Sequence, residues 1–226
     1  MGKTHAIAID GPAGAGKSTI AKRVSARLGY IYVDTGAMFR AIALTVLRSG
    51  ADPEDGESIA AAAEKADICI VYEDGAQQIM LDGENVSGLI RTEEVSRMAS
   101  VVSVYPAVRK KLLELQRRIA SEQNVVMDGR DIGTVVLPHA DTKVFLTASP
   151  RVRALRRYNE LIGRGAEADL VDIERDIIER DSRDMNRSEA PLRQAEDAYL
   201  LDSSDMTIDG VVDKILSLAG KEGKDA

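Results

Sequence analysis

The segment Gly11-Pro-Ala-Gly-Ala-Gly-Lys-Ser18 places two glycines five residues apart, directly ahead of a lysine and a hydroxyl. This is the pattern of a phosphate-binding loop. Glycines let consecutive backbone N–H groups turn toward one anion, and the helix that follows adds the positive end of its dipole. Gly11, Pro12, Ala13, Gly14, Ala15, Gly16, Lys17, Ser18 and Thr19 then surround the phosphates of a nucleotide. Lys17 reaches the β- and γ-phosphates, and the Ser18 hydroxyl ligates Mg2+. The loop leaves the acceptor open, because GTPases, motors, small-molecule kinases and nucleotide sensors all carry it. No Asn-Lys-x-Asp sequence for reading guanine is present.

A second group is basic. In Glu179-Arg-Asp-Ser-Arg-Asp-Met-Asn-Arg187, helical spacing puts Arg180, Arg183, Asp184 and Arg187 on one face. Guanidiniums crowded in this way require an anion between them, and a phosphate meets that need. A solvated face of ion pairs is equally compatible with this segment taken alone. Arginines elsewhere favour the phosphate. Arg130 follows Asp128-Gly129, and Arg40 follows Asp34-Thr-Gly-Ala-Met-Phe, each just past an apolar run. Arg156 and Arg157 precede the Gly163 and Gly165 interruption. Asp128 closes a hydrophobic run, the place where loops of this kind set a carboxylate near the metal, here through water.

These groups need elements to hold them. His5–Asp10, Tyr30–Asp34, Val125–Asp128, Lys143–Thr147 and Met206–Asp209 are short apolar runs expected to be strands. Between them, Ile20, Val24 and Leu28, then Ile42 and Val46, then Val108, Leu112, Leu115 and Ile119 recur at helical spacing. Residues 150–187 read as helical and charged. Strands alternating with helices predict an α/β fold, a parallel sheet with helices on both faces. Its carboxyl edge is where ligands bind. The stretch from 66 to 90 differs. Asp67–Tyr72, Gln77–Asp82 and Asn85–Ile90 are strand-like runs separated by the turn dipeptides Asp74-Gly75 and Asp82-Gly83, a small antiparallel sheet inserted in the chain. The last residues, Gly220 to Ala226, are polar and expected to fray.

Composition narrows the partners. Thirty Lys and Arg stand against 37 Asp and Glu, a formal charge of −7, which argues against tracking nucleic acid. No run is long enough to span a bilayer. The chain passes from Met1-Gly2-Lys3 straight into a strand, leaving no room for a signal peptide, so the cytoplasm is the expected location. The one cysteine, Cys69, lies in an apolar run and reads as a small buried hydrophobe. The histidines His5 and His139 each stand alone.

Taken together, Ile9–Ser18, Asp34–Arg40, Gly88-Leu-Ile-Arg-Thr92, Asp128-Gly-Arg-Asp-Ile-Gly-Thr134 and Arg180–Arg187 resemble bacterial cytidylate kinases over roughly residues 5 to 218. The resemblance implies a P-loop nucleoside monophosphate kinase fold: a five-stranded parallel core, an antiparallel insert and a helical lid. The core would be 1–62, 104–150 and 188–226. The CMP-binding insert would be 63–103, and the lid with its arginine-rich helix 151–187, with 151–169 closing over the site. It also implies roles. Thr35, Ser100, Arg109 and Asp131 would surround the cytosine or its sugar. Arg40, Arg130, Arg180 and Arg187 would hold the acceptor phosphate and Asp184 the ribose, while Arg157 would join the ATP site. Lys17, Arg130, Arg180 and Arg187 would be catalytic. ATP with Mg2+ would be the donor and CMP or dCMP the acceptor, in a monomer that binds neither nucleic acid nor membrane. Thr35 stands where many members have Ser and keeps the hydroxyl. Phe39 stands where Tyr is common and loses the phenol. The base assignment has its own logic: Asp131 accepts from the cytosine amino group, where uracil would present an oxygen at a loss of about 1–3 kcal/mol. A kinase for UMP, AMP or a non-nucleotide acceptor is one alternative, separable by an acceptor panel. A nucleotide-dependent binding module is another, and CMP would not accelerate its ATP hydrolysis.

Overall fold

The computed structural model describes residues 4–73 and 76–220. The expected Asp74-Gly75 turn and the segment after Gly220 lie outside the described residues. The chain divides into two compact units, one running up to Ile31 and resuming at Asn124, the other spanning Tyr32–Gln123.

Five strands form one sheet: β1 (Ala6–Asp10), β2 (Ile31–Asp34), β6 (Val125–Gly129), β7 (Thr142–Thr147) and β8 (Tyr199–Asp202), in the order β2-β6-β1-β7-β8. β2 carries the chain from the first unit into the second. Pairing is parallel along β6-β1-β7-β8. All five residues of β6 are buried. Successive side chains of a strand point to opposite faces, so both faces of the sheet are covered there. Ile9, Met127 and Leu146 lie fully buried in this layer, each contributing about 1.5–3 kcal/mol relative to exposure. The strand expected at 206–209 is instead the start of a helix. The Thr207 hydroxyl accepts from the Gly210 amide and caps α8 (Ile208–Leu218), with Asp209 in its first turn. The fifth strand is Tyr199–Asp202, which buries only Leu201.

In the first unit, α1 (Lys17–Leu28) follows β1 and packs on α8, with ion pairs Arg23–Asp209 at 2.7 Å and Arg27–Asp213 at 2.9 Å. After β7 come α6 (Pro150–Gly163) and α7 (Leu170–Asn186), packed on each other and separated by the expected glycine interruption.

In the second unit, β2 leads into α2 (Thr35–Ser49), followed by α3 (Gly56–Lys65). The antiparallel sheet is β3 (Ile68–Glu73), β4 (Ala76–Leu81) and β5 (Glu84–Asn85). Asp82 and Gly83 both have positive φ, 51° and 83°, as the tight turn between β4 and β5 demands. The third run stops pairing at Asn85, and 89–91 form a single 3-10 turn rather than strand. Cys69 is exposed, contrary to the buried reading. β3 alternates, Ile68 inward and Cys69 outward, so the apolar run does not place every member in the core. α4 (Glu93–Val102) and α5 (Pro106–Glu122) complete the unit.

Candidate active site

The phosphate loop bridges β1 and α1. Gly11 has φ 149°, and a Cβ there would lie 1.9 Å from the Leu146 carbonyl oxygen of β7. Only glycine lets the loop pass so close to the neighbouring strand. Gly16, at φ 89°, opens α1 with no side-chain cap and no acidic residue in the first turn. The helix N-terminus therefore offers its amides to an external anion.

Lys17 is buried, and its Nζ donates to the Pro12 carbonyl at 2.7 Å. Burial pushes its ammonium down to about 7, and Arg130 adds to the push. Asp128 and Asp10 oppose this, while Arg180 acts with Arg130. The Ser18 hydroxyl donates to Asp128 Oδ2 at 2.9 Å, so a strand-end carboxylate and the loop's hydroxyl meet at one point. Thr19 is exposed on the same turn.

Around Asp184 the expected arginines gather. Arg130 Nε donates to Asp184 Oδ2 at 2.9 Å. Burial would raise the Asp184 carboxyl, but Arg130, Arg180 and Arg187 together bring it below its ordinary value. Arg187 lies one residue beyond the end of α7. It forms an ion pair with Asp131 at 3.6 Å and donates to the Ala190 carbonyl from Nε at 2.8 Å. Arg183, expected on the same face, points to solvent. The inward face of α7 is Ile177, Arg180, Asp181 and Asp184. Arg130, Arg180 and Arg187 all act on Asp184, Arg187 also meets Asp131, and Arg130 and Arg180 act on Lys17. Cations gathered in this way can bind an incoming polyanion.

Two further arginines frame the loop. Arg153 of α6 is buried and donates to the carbonyls of Ala148 and Ala13, each at 2.8 Å. It pairs with Asp181 of α7 at 2.6 Å. It ties the phosphate loop to the helix that carries Arg180 and Asp184. Arg156 donates to the Ser203 carbonyl at 2.7 Å and to Ala15 at 3.4 Å. Arg157 is turned outward onto Glu160 at 3.0 Å.

In the second unit, Asp34 caps α2 through the Ala37 amide and holds Arg40 at 3.1 Å. Its own amide donates to Gln77 Oε1 of β4 at 2.8 Å. Thr35 is buried at the first turn of α2. Arg109 of α5 lies 5.6 Å from the Phe39 ring centroid, a cation–π contact that needs no phenol, and donates to the Ser103 carbonyl. Ser100, on α4, accepts at its carbonyl from the Ser103 hydroxyl at 2.9 Å.

A model of the cytidylate kinase family matches residues 7–221. The chain belongs to the cytidylate kinase family. The cytidylate kinase of Carboxydothermus hydrogenoformans is 48% identical over 216 residues, covering 96% of this chain and 97% of that one. The cytidylate kinase of Desulfitobacterium hafniense is 50% identical over 218 residues, covering 96% and 94%. Among solved structures, an uncharacterized protein from Eubacterium ventriosum superposes with a TM-score of 0.52 at 12% identity, covering 96% of this chain and 99% of that one, a likeness of fold alone.

The loop, Asp128 and the arginines that the structure brings around Asp184 stand out in the sequence. Asp10, Arg153 and Asp181, which pack beside them, do not. Asp10 ends β1 and accepts from the amides of Ile132 and Gly133 at 2.8 and 2.7 Å. A signal for it existed in the acidic residue that ends a buried strand right before Gly11. Arg153 and Asp181 are far apart in sequence, and nothing in either segment marks them as partners.

Proposed function

We propose that this protein transfers the γ-phosphoryl group of ATP to CMP, with dCMP as a second acceptor, and that it works as a cytoplasmic monomer. The observation that carries the reading is the convergence of Arg130, Arg180 and Arg187 on Asp184, with Arg130 and Arg180 also acting on Lys17 of the phosphate loop. Such a cluster suits a phosphate acceptor placed next to a phosphate donor. Among the described residues no helix is long and apolar enough to cross a membrane.

The loop amides from Gly11 to Thr19 take the donor phosphates, and Lys17 neutralises the γ-phosphate as the transfer proceeds. The pairing of Ser18 Oγ with Asp128 Oδ2 is a set of hard oxygen donors that fits Mg2+. The ion would sit on Ser18 directly and on Asp128 through water, and would supply charge neutralisation of the phosphates. The acceptor phosphate displaces part of the contact that Asp184 now makes with Arg130, leaving Asp184 for the ribose. Its oxygen is already ionised, so no general base is required. Arg130, Arg180 and Arg187 offset the repulsion between the two anions. Asp131 accepts from the cytosine amino group, and Arg157 turns from Glu160 to the donor. Residues 151–169 act as the lid that excludes water. In the second unit we assign Thr35, Arg40, Ser100 and Arg109 to the acceptor.

An ADP-release assay across CMP, dCMP, UMP and AMP tests the reading. CMP and dCMP should support turnover far above the rest. Equal turnover with every monophosphate, or ATP hydrolysis that CMP does not accelerate, would reject it.

A further inference from the structure

The geometry points to Asp10 as a positioning residue for acceptor recognition: by binding the amides of Ile132 and Gly133, its carboxylate fixes the direction in which Arg130 and Asp131 leave the end of β6. This rests on the proposed function above, in which those two residues meet the acceptor phosphate and the base.

β1 and β6 run in register, with Asp10 opposite Gly129, so both strands end at the same level. The chain then passes through Arg130 and Asp131 into a five-residue turn, Ile132–Val136. The first amides of such a turn have no partner within it, and Asp131 gives no side-chain cap. Asp10 supplies the missing acceptors from the neighbouring strand, one to Ile132 and one to Gly133. Ile132 and Gly133 are both buried, so water is not a ready substitute.

Gly133 itself brings no side chain against this contact; a Cβ there would lie 3.2 Å from Lys143 Cδ and 3.4 Å, an ordinary contact distance, from Asp10 Oδ2. Two amides aimed at one side chain call for two acceptor atoms. Aspartate offers both, whereas asparagine would turn an NH2 toward one of the N–H donors. The arrangement works against charge: burial pushes the Asp10 carboxyl up to about 6 despite the two amides, and Asp131 adds to the push while Lys17 opposes it. A buried carboxylate beside a second carboxylate is an unfavourable way merely to close a turn. It is a precise way to aim the two residues that precede that turn, from the root of the donor loop itself.

The test compares Asp10→Asn and Asp10→Ala with the parent enzyme, measuring steady-state kinetics with CMP, with UMP and with ATP, together with Tm. Asp10→Ala should raise KM for CMP about tenfold or more, while KM for ATP changes by no more than about twofold. The kcat/KM preference for CMP over UMP should shrink toward about the value expected when one base contact is lost, a tenfold loss or more. Asp10→Asn, which keeps one acceptor, should fall between. Variants that lose Tm but keep both the CMP preference and the parent KM values would reduce Asp10 to a structural residue and overturn the inference. A parent enzyme with no preference for CMP would instead overturn the proposed function.

Discussion

Replacing Lys17 with methionine should make the ligand-free protein more stable while abolishing its activity. The ammonium is buried and shares its surroundings with Arg130 and Arg180, and its proton affinity falls from 10.5 to about 7. At ~1.4 kcal/mol per pH unit, that displacement places a penalty of roughly 5 kcal/mol on the charged form in the folded protein. Methionine matches the length of much of the stem and carries no charge. It forfeits the bond to the Pro12 carbonyl, a loss of about 1 kcal/mol. After allowance for relaxation of the loop, a net gain on the order of 3 kcal/mol remains, or about 6–12 °C in Tm for a chain of this size. The sign with pH is fixed. Between pH 7 and 10.5 the unfolded chain protonates Lys17 and the folded one does not. The unfolded state thus binds more protons, and the parent gains stability as pH rises. The advantage of the variant should be full at pH 7 and below, and shrink to about 1 kcal/mol or less by pH 9. Thermal unfolding of both proteins at pH 6, 7, 8 and 9, without nucleotide, measures it. A variant less stable than the parent at pH 7, or a gap that widens with pH, would refute the account of Lys17 as a charge held against its surroundings.

The same electrostatics predict that ATP binding takes up a proton at pH 8, because the donor phosphates restore the charge on Lys17; calorimetry in two buffers of different ionisation enthalpy should show it, and a buffer-independent enthalpy would contradict it. Arg153→Met should destabilise the fold by about 3–5 kcal/mol, since Asp181 would stay buried without its cation. The double variant Arg153→Met with Asp181→Leu should recover most of that loss in a denaturant titration, and failure to recover would show that the bonds to Ala13 and Ala148 dominate. Arg157→Ala should leave the denaturation midpoint unchanged within about 0.5 kcal/mol, because its partner Glu160 is a surface pair, and should raise KM for ATP; an unchanged KM would remove Arg157 from the donor site.

How much of this could be read from the sequence depends on range. The phosphate loop is local, and its glycines, lysine and hydroxyl are adjacent in the chain, so the pattern and the structure coincide. The parallel core was legible wherever a strand is buried on both faces, as β6 is. It was not legible at β8, where Tyr199 and Leu200 face outward and the segment lacks the continuous apolar run of a central strand. Met206–Asp209 looked more strand-like, but Thr207 decided the matter by capping a helix. Cys69 shows the converse, an apolar neighbourhood whose alternate members point outward. Within the arginine-rich helix, periodicity alone could not tell Arg183 from Arg180. The packing of α7 on α6 does that, through the buried pair of Arg153 with Asp181. Asp10 eluded notice for a similar reason, because its two amide partners lie more than a hundred residues away.

The central claim is that the guanidiniums gathered on Asp184 receive the acceptor phosphate next to the donor loop. Single-turnover transfer from γ-labelled ATP to CMP in Arg187→Ala tests it most directly. Arg187 is buried where it meets Asp131 and the Ala190 carbonyl, one residue past the end of α7, so the variant loses stability, and the assay is run below its Tm, where it remains folded and binds ATP. There the transfer rate should fall by about a thousandfold or more. A folded variant that phosphorylates CMP at the parent rate would contradict the account.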